Sequence, residues 1–456
     1  MTNKCSALIS AVATLLVAGC LLPPGHGSSD GIPSVSEASL HKLSGSGPIQ
    51  HIVVVIQENR SVDNLFNGFP GADTVQAGKN KQGQTVTLQP VDLTARYDLS
   101  HRHSAWVSDY DDGRIDGFNT ESEHCYARTQ HCPSRKVAAY GYVPRSEVEA
   151  YWDMAEEYTF ADKMFQSNQG PSFPAHQYLI SGTSAISNGS NLKASENASD
   201  TQHMNDQGGC NSVPSATVIT IDPRGNEGAP VFPCFKRISI MARMDDQGVS
   251  WRYYQEFGGS GQWHGVDAIK QIWQSHNYAN VIWPSSRVLK DIVGGKLANV
   301  TFVTPSAAES DHAAHNNGTG PSWVASIVNA VGESSYWNTT AVIVVWDDWG
   351  GWYDHVAPKV YDSYELGFRV PMVVISPYAK SGYVSHVSYE FGSILKFIEG
   401  TFSLESLGTT DVRANDLSDC FDFGSKARAF RQIRAQYSAQ YFEHLPISYK
   451  GPDDDY

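Results

Sequence analysis

Two short runs of unbroken apolar residues limit what this chain can fold into. His51 to Gln57 reads HIVVVIQ, and Ala341 to Val345 reads AVIVV. A strand with water on one face alternates apolar and polar residues, whereas a run without alternation fits a strand covered on both faces. Each run is followed at once by groups of metal-ligand type. Glu58, Asn59 and Arg60 follow the first; Trp346, Asp347, Asp348, Gly350, Gly351, Asp354 and His355 follow the second. Open α/β sheets bind their ligands beyond the carboxyl ends of the strands. The pattern predicts an α/β fold, a central and mostly parallel sheet flanked by helices, with a metal site in the loops past two of its strands. Taken alone, Asp-Asp-x-Gly-Gly also fits a solvated, helix-capping loop.

Other stretches repeat the same grammar. Asn299 to Ser306 (NVTFVTPS) is a third buried strand, and Glu309 to Asn317 (ESDHAAHNN) again sets acidic and imidazole groups past its end. Val370 to Pro377 (VPMVVISP) is a fourth, and Ile238 to Gln255 reads as a helix followed by a strand. After the first strand, Ser61 is placed to cap a helix, and an adjacent carboxylate and carboxamide offer two oxygen ligands to one cation. Between Tyr158 and Ser184, Thr159 to Phe165 predicts a strand and Gly170 to Pro174 a tight turn into a helix. Ser172 then stands at a helix amino terminus, which favours phosphate, as a nucleophile or as a plain N-cap. Ser146 and Glu149 form a capping box for a helix burying Val148, Tyr151, Trp152 and Ala155. A helix from Ser322 to Val331 is stopped by Gly332, and another spans Tyr389 to Glu399. His101, His103, His264 and His276 are each weak signals taken singly.

With 41% hydrophobic and 11% aromatic residues the chain is globular, and its 456 residues fit one large α/β unit with loop insertions. A formal charge of −15, from 33 basic against 48 acidic side chains, excludes broad affinity for a nucleic-acid backbone. Residues 1–19 carry one lysine ahead of an apolar stretch too short to span a bilayer, and Val17-Ala18-Gly19-Cys20 resembles a bacterial lipobox. The expectation is export, with lipidation of Cys20 as a membrane anchor. Residues 20–48, rich in Gly, Ser and Pro, read as a tether, 49–403 as a catalytic domain, and 404–456 as its polar, exposed C-terminal extension. Ala185 to Pro233 is a loop-rich insertion. In an oxidising compartment, spacing and context pair Cys125 with Cys132 and Cys210 with Cys234, leaving Cys420 over.

Six segments carry a resemblance, in order from His51 to Glu399: IQENRSVDNLF, LSHRH with DGF, NQGPSFPAHQYLISGTS, SDHAAHNNGTGPSWV, VIVVWDDWGGWYDHVAP and GFRVPMVVISPYA. Together they resemble the bacterial phosphoesterase family that contains phospholipases C and an acid phosphatase, within the alkaline-phosphatase-like superfamily. The resemblance implies Ser172 as nucleophile and Glu58, Asn59, Asp347 and Asp348 as ligands of a divalent metal. It implies that His101, His312 and a third histidine, assigned to His276, contact the phosphoryl oxygens or protonate the leaving group. Asp354 and His355 fall on a recurrent motif of supporting role. Oxygen ligands suit calcium, magnesium or manganese, and the histidines leave zinc or iron open. The expected function is phospholipase C-like cleavage of phosphate esters, with lipid headgroups as substrate class. Asp348 and Ser172 replace the Glu and Thr of many phospholipase-type members, which brings in a broad acid phosphatase as the second reading. A surface-binding lipoprotein on an inactive hydrolase scaffold is the non-enzymatic one.

Overall fold

The computed structural model describes residues 47–126, 132–199 and 208–449. The expected signal segment, Cys20, nearly all of the tether and the acidic C-terminal GPDDDY lie outside the described residues. The centre is an eight-stranded sheet of β1 (His51–Gln57), β2 (Thr159–Ala161), β3 (Trp251–Tyr254), β4 (Val281–Ile282), β5 (Val300–Val303), β6 (Thr340–Trp346), β7 (Met372–Ile375) and β8 (Tyr383–Ser385). Its order is β4-β3-β5-β1-β6-β7-β2-β8. β7 pairs antiparallel with both neighbours and every other pairing is parallel.

The two apolar runs lie side by side at the centre. β6 is buried along its whole length, and β1 everywhere but His51. Each buried Val or Ile contributes about 1.5–3 kcal/mol, so this pair anchors the core. Gln57 stands opposite Trp346 in the β1–β6 register. The next residues, Glu58 and Asp347, therefore leave the sheet as neighbours, and two sequence motifs almost three hundred residues apart become one site.

Helices pack in two groups. α1 (Val62–Leu65), α2 (His103–Tyr110), α3 (Glu149–Glu157), α4 (Ser172–Ser181), α5 (Ile240–Gln247), α6 (Arg287–Val293), α7 (Gly320–Gly332) and α8 (Phe391–Phe402) are the ones used below. α3 and α6 both pack on α7, while α4 packs on α8. Ser61 caps α1 as expected, accepting from the Asn64 amide at 3.2 Å.

Four local expectations are corrected. The Ser146–Glu149 capping box does not form: α3 starts at Glu149 with Val148 at its cap, after a 3₁₀ turn at Arg145–Glu147 whose Glu147 carboxylate accepts from Leu93 N at 2.8 Å. Gly332 closes α7 as its last residue rather than lying past it; a Cβ there would stand 2.3 Å from the Phe430 ring. The stretch Thr159 to Phe165 breaks into β2 and a two-residue strand, Met164–Phe165, that pairs with Tyr389–Glu390. The C-terminal extension is not a solvated tail, because Leu417, Cys420, Phe421 and Phe442 are buried in the main core.

Both expected disulfides are present, Cys125–Cys132 and Cys210–Cys234, and Cys420 is a buried free thiol. The insertion folds onto α4. Ala194, Ala198 and Val218 pack with Phe173 and Phe235, and Asn197 Oδ1 accepts from Phe173 N at 2.8 Å, capping the start of α4.

Candidate active site

The loops past β1 and β6 meet at a sharp backbone contact. Asn59 has φ +60° and Gly350 has φ +60°, and a Cβ on Gly350 would lie 2.3 Å from the Asn59 carbonyl oxygen. Only glycine permits that approach at that backbone angle. Asn59 N donates to Asp347 Oδ1 at 3.1 Å, and Gly350 N to Asp348 Oδ1 at 2.7 Å, so each loop is held by the other or by itself.

Ser172 is the first residue of α4, with Pro171 at the cap position, so it is not the plain N-cap. Its hydroxyl donates to Asp348 Oδ2 at 3.0 Å and lies 3.5 Å from Asn59 Oδ1. His101 Nδ1 donates to the Leu99 carbonyl at 2.8 Å, which leaves Nε2 to accept from Asn59 Nδ2 at 3.1 Å. The Asn59 amide is thereby oriented: nitrogen toward His101 and Asp348, oxygen toward Ser172. His312 lies next to His101, ring centroids 5.7 Å apart, with its Nδ1 donating to Ala313 O at 2.9 Å. His103, the second histidine of that pair, sits elsewhere; its Nδ1 donates to Gln169 O at 2.7 Å and fastens the turn that precedes Ser172.

On the other side of this centre, Glu58, His176 and Asp347 form a fully buried group whose ligand-type atoms lie within 4.8 Å of one another. His176 Nε2 is 3.0 Å from Glu58 Oε1 and 3.7 Å from Asp347 Oδ2. Burial, reinforced by the Asp347, Asp348 and Asp311 carboxylates, pushes the Glu58 carboxyl well above the usual range. Burial likewise pushes the His176 imidazole down to about 4, so it is neutral near pH 7. Glu58 Oε2 and Asp347 Oδ2 are buried and, among the described residues, meet no donor beyond a proton shared between the two carboxyls. Two buried carboxylates whose only ion-pair neighbour among the described residues is a neutral imidazole are costly unless a cation joins them. The donor set therefore fits a divalent metal.

A similar group, Asp63, Asp354 and His355, has a different occupant. The Arg369 guanidinium donates to both Asp354 oxygens at 2.8 and 3.0 Å and lies 3.6 Å from Asp63, while His355 Nδ1 is 2.6 Å from Asp63. Here the protein supplies its own cation, in line with the supporting role expected for Asp354 and His355.

The structure thus brings together Glu58, Asn59, His101, Ser172, His312, Asp347 and Asp348, all buried, and the solvated-loop reading of Asp347-Asp348 is overturned by their zero exposure. His276 is not among them. It is exposed, and lines a groove with Ser250, Trp251, Leu297 and Ala298, at the amino-terminal ends of β3 and β5. His264 is the histidine that lies nearer this side: Nδ1 donates to Gly259 O at 2.6 Å, and burial, with a smaller push from His176, lowers its imidazole to about 4. Its neighbour Trp263 stacks on His312 with centroids 6.0 Å apart. His176 was missed by sequence reading, although its spacing of four from Ser172 in a helix puts both on one face.

The chain is 23% identical to non-hemolytic phospholipase C of Pseudomonas aeruginosa, over 86% of this chain and 61% of that protein. It is 25% identical to phospholipase C B of Mycobacterium tuberculosis, over 86% of this chain and 82% of that one. It is also 25% identical to non-specific phospholipase C3 of Arabidopsis thaliana, over 85% and 78%. The chain spans about six-tenths of the length of the Pseudomonas relative. Among solved structures, a protein in the alkaline phosphatase superfamily from Vibrio parahaemolyticus aligns over 83% of this chain and 76% of its own, at 10% identity and a TM-score of 0.36. The profile described as Phosphoesterase family matches residues 49–405, continuous across both halves of the site, and the chain belongs to that family.

Proposed function

We propose that this protein hydrolyses phosphoric esters through Ser172, in the manner of the phospholipases C it is similar to. The observation that carries the reading is the Ser172 hydroxyl, aimed at Asp348 Oδ2 at 3.0 Å beside two buried carboxylates that lack hydrogen-bond partners on one oxygen each. Asp348 accepts the serine proton as Oγ attacks phosphorus. The bond from phosphorus to the leaving oxygen breaks with its electron pair, and the departing alkoxide takes a proton from a protonated imidazole on the histidine side of the site, His101 or His312, with His276 taking no part. Water then hydrolyses the phosphoserine, giving one proton back to that histidine, while Asp348 returns the serine proton to Oγ. Glu58 and Asp347, with Asn59 and Asp348 alongside, would hold the divalent cation, which supplies charge neutralisation to the phosphoryl group. Asn59, turned by His101, keeps its carbonyl oxygen on the serine.

A broad acid phosphatase is the second reading, favoured by Asp348 and Ser172 standing where many phospholipase-type members carry Glu and Thr. Hydrolysis of p-nitrophenyl phosphorylcholine and p-nitrophenyl phosphate across pH separates the two. Preference for the diester supports the phospholipase reading, and preference for the monoester at acid pH replaces it with the phosphatase. No turnover of either after divalent metals are resupplied would sink the enzymatic reading.

Export and anchoring through Cys20 belong to the same proposal, and the two disulfides support export because such bonds persist in oxidising compartments. Metabolic labelling with a fatty acid that is lost in Cys20→Ser tests the anchor.

A further inference from the structure

The oxygen ligands implied by family resemblance are all carboxylates and a carboxamide, yet the structure presses an imidazole against two of them. We infer that His176 is a ligand of the divalent cation, making the site a mixed nitrogen–oxygen one that selects a borderline transition ion of the zinc or iron kind over calcium. This deepens the phosphoesterase reading and rests on it.

The geometry is specific. Ser172 and His176 lie one turn apart on the same face of α4, so the helix that presents the hydroxyl also presents a ring nitrogen to the Glu58 and Asp347 carboxylates. Nε2 lies 3.0 Å from Glu58 Oε1 and 3.7 Å from Asp347 Oδ2, with all three side chains fully buried. In the tautomer that carries its proton on Nδ1, itself buried without an acceptor, the Nε2 lone pair points at two carboxyl groups, which a shared cation, or in its absence a proton held on Glu58, would join. In the other tautomer Nε2–H donates to Glu58 Oε1, but Asp347 Oδ2 and Glu58 Oε2 remain buried without hydrogen bonds. A cation held by Nε2, Glu58 and Asp347 gives the buried oxygens left over in either tautomer a positive partner. Asn59 and Asp348 are engaged with His101, Ser172 and Gly350 instead, which makes them the serine's neighbours first. Imidazole suits zinc and iron and is a poor ligand for calcium, whereas an all-oxygen set suits calcium or magnesium. One histidine at this position therefore sets the metal preference.

The test uses the full chain, stripped with chelator and reloaded with Mn²⁺, and reads nitrogen directly. Pulsed electron paramagnetic resonance of the Mn²⁺ form is expected to show ¹⁴N modulation from one imidazole, lost in His176→Gln and retained in His101→Gln. In equilibrium dialysis, His176→Gln is expected to raise the Kd for Zn²⁺ by at least about 10-fold while leaving that for Ca²⁺ nearly unchanged. Should His176→Gln fail to fold, labelling the histidines with ¹⁵N in the unmutated protein still decides whether any imidazole touches the ion. Mn²⁺ that binds without nitrogen modulation overturns the assignment and leaves the phosphoesterase reading standing. So does modulation that persists in His176→Gln, or that disappears in His101→Gln. Failure of any divalent ion to bind, in a protein whose binding should vanish in Asp347→Asn, overturns this inference together with the metal-dependent reading beneath it.

Discussion

Gly350→Ala is the sharpest probe of how the two halves of the site depend on each other. The methyl group would stand 2.3 Å from the Asn59 carbonyl oxygen and 2.9 Å from both the Asn59 carbonyl carbon and its Cβ. Ordinary contact begins near 3.4 Å, so the loops must part by about 1 Å; the obstacle is backbone, which no rotamer change relieves. An alanine at φ +60° also costs about 1–2 kcal/mol. Parting the loops moves Asn59, and with it the hydrogen bonds to Asp347, Asp348 and His101. A misplacement of about 1 Å among reacting groups can cost about 100-fold in rate, equivalent to about 2.7 kcal/mol of transition-state stabilisation. The assay is kcat/KM on p-nitrophenyl esters together with thermal unfolding. Gly83→Ala is the control, because Gly83 has φ +72° with nothing within 4 Å of its Cβ. The control should lose stability and no activity, and Gly350→Ala should lose both. Unchanged kcat/KM in Gly350→Ala would refute the claim that this crossing holds Asn59 in place.

Ser172→Ala should reduce turnover by several orders of magnitude with little change in melting temperature, and residual activity near wild type would exclude the covalent route. Chelator should abolish hydrolysis, and a divalent ion should restore it in the wild type but not in Asp347→Ala. Burial raises the Glu256 carboxyl from its ordinary 4.5 to about 7, so the folded chain holds a proton there that the unfolded chain lacks between those values. Its contribution is therefore full below about 4.5, falls as pH rises from there to about 7 and is gone above it; Glu256→Gln should stabilise the protein at pH 8 by on the order of 2 kcal/mol and leave it nearly unchanged at about pH 4, read by denaturant titration. Replacing Cys210 and Cys234 by serine opens a loop of 24 residues in separation and should lower stability by about 3 kcal/mol.

The strands that place the chemistry were legible because burial on both faces removes polar alternation, a signal local to a few residues. β1 falls on HIVVVIQ itself, and β6 extends the AVIVV run by one residue at each end. What could not be read was which segments become neighbours. His264 and His276 are equally unremarkable in sequence, and only the parallel run of β3 and β5 decides that one is at the carboxyl edge and the other at the amino edge. His176 was hidden differently: it lies within a segment already singled out for Ser172, but its use depends on α4 pointing its first two turns at Glu58. The capping box at Ser146 failed because Ser146 lies inside the 3₁₀ turn Arg145–Glu147, so the helix starts only at Glu149, with Val148 at its cap. The solvated tail failed for the reverse reason, since its few apolar residues are scattered too widely to show a period.

Asp63, Asp354 and His355 show why residue type at a sheet edge does not by itself make a metal site. Their composition matches that of Glu58, Asp347 and His176, and both groups bridge the exits of β1 and β6. The difference is Arg369, just ahead of β7, whose buried guanidinium binds Asp354 with two parallel hydrogen bonds and gives its remaining donor to the Asp73 and Asp162 carbonyls at 2.9 Å. A bidentate arginine fixes distance and plane, so this group acts as a rigid clamp across three loops. Among the described residues no arginine or lysine pairs with Glu58 or Asp347, and one oxygen of each stays buried without a donor. The reversed direction of β7 brings Arg369 in at the start of that strand, at the same edge where β1 and β6 end. One antiparallel strand in an otherwise parallel sheet thus delivers the charge that holds the loops, and leaves the neighbouring carboxylates available for an exogenous ion.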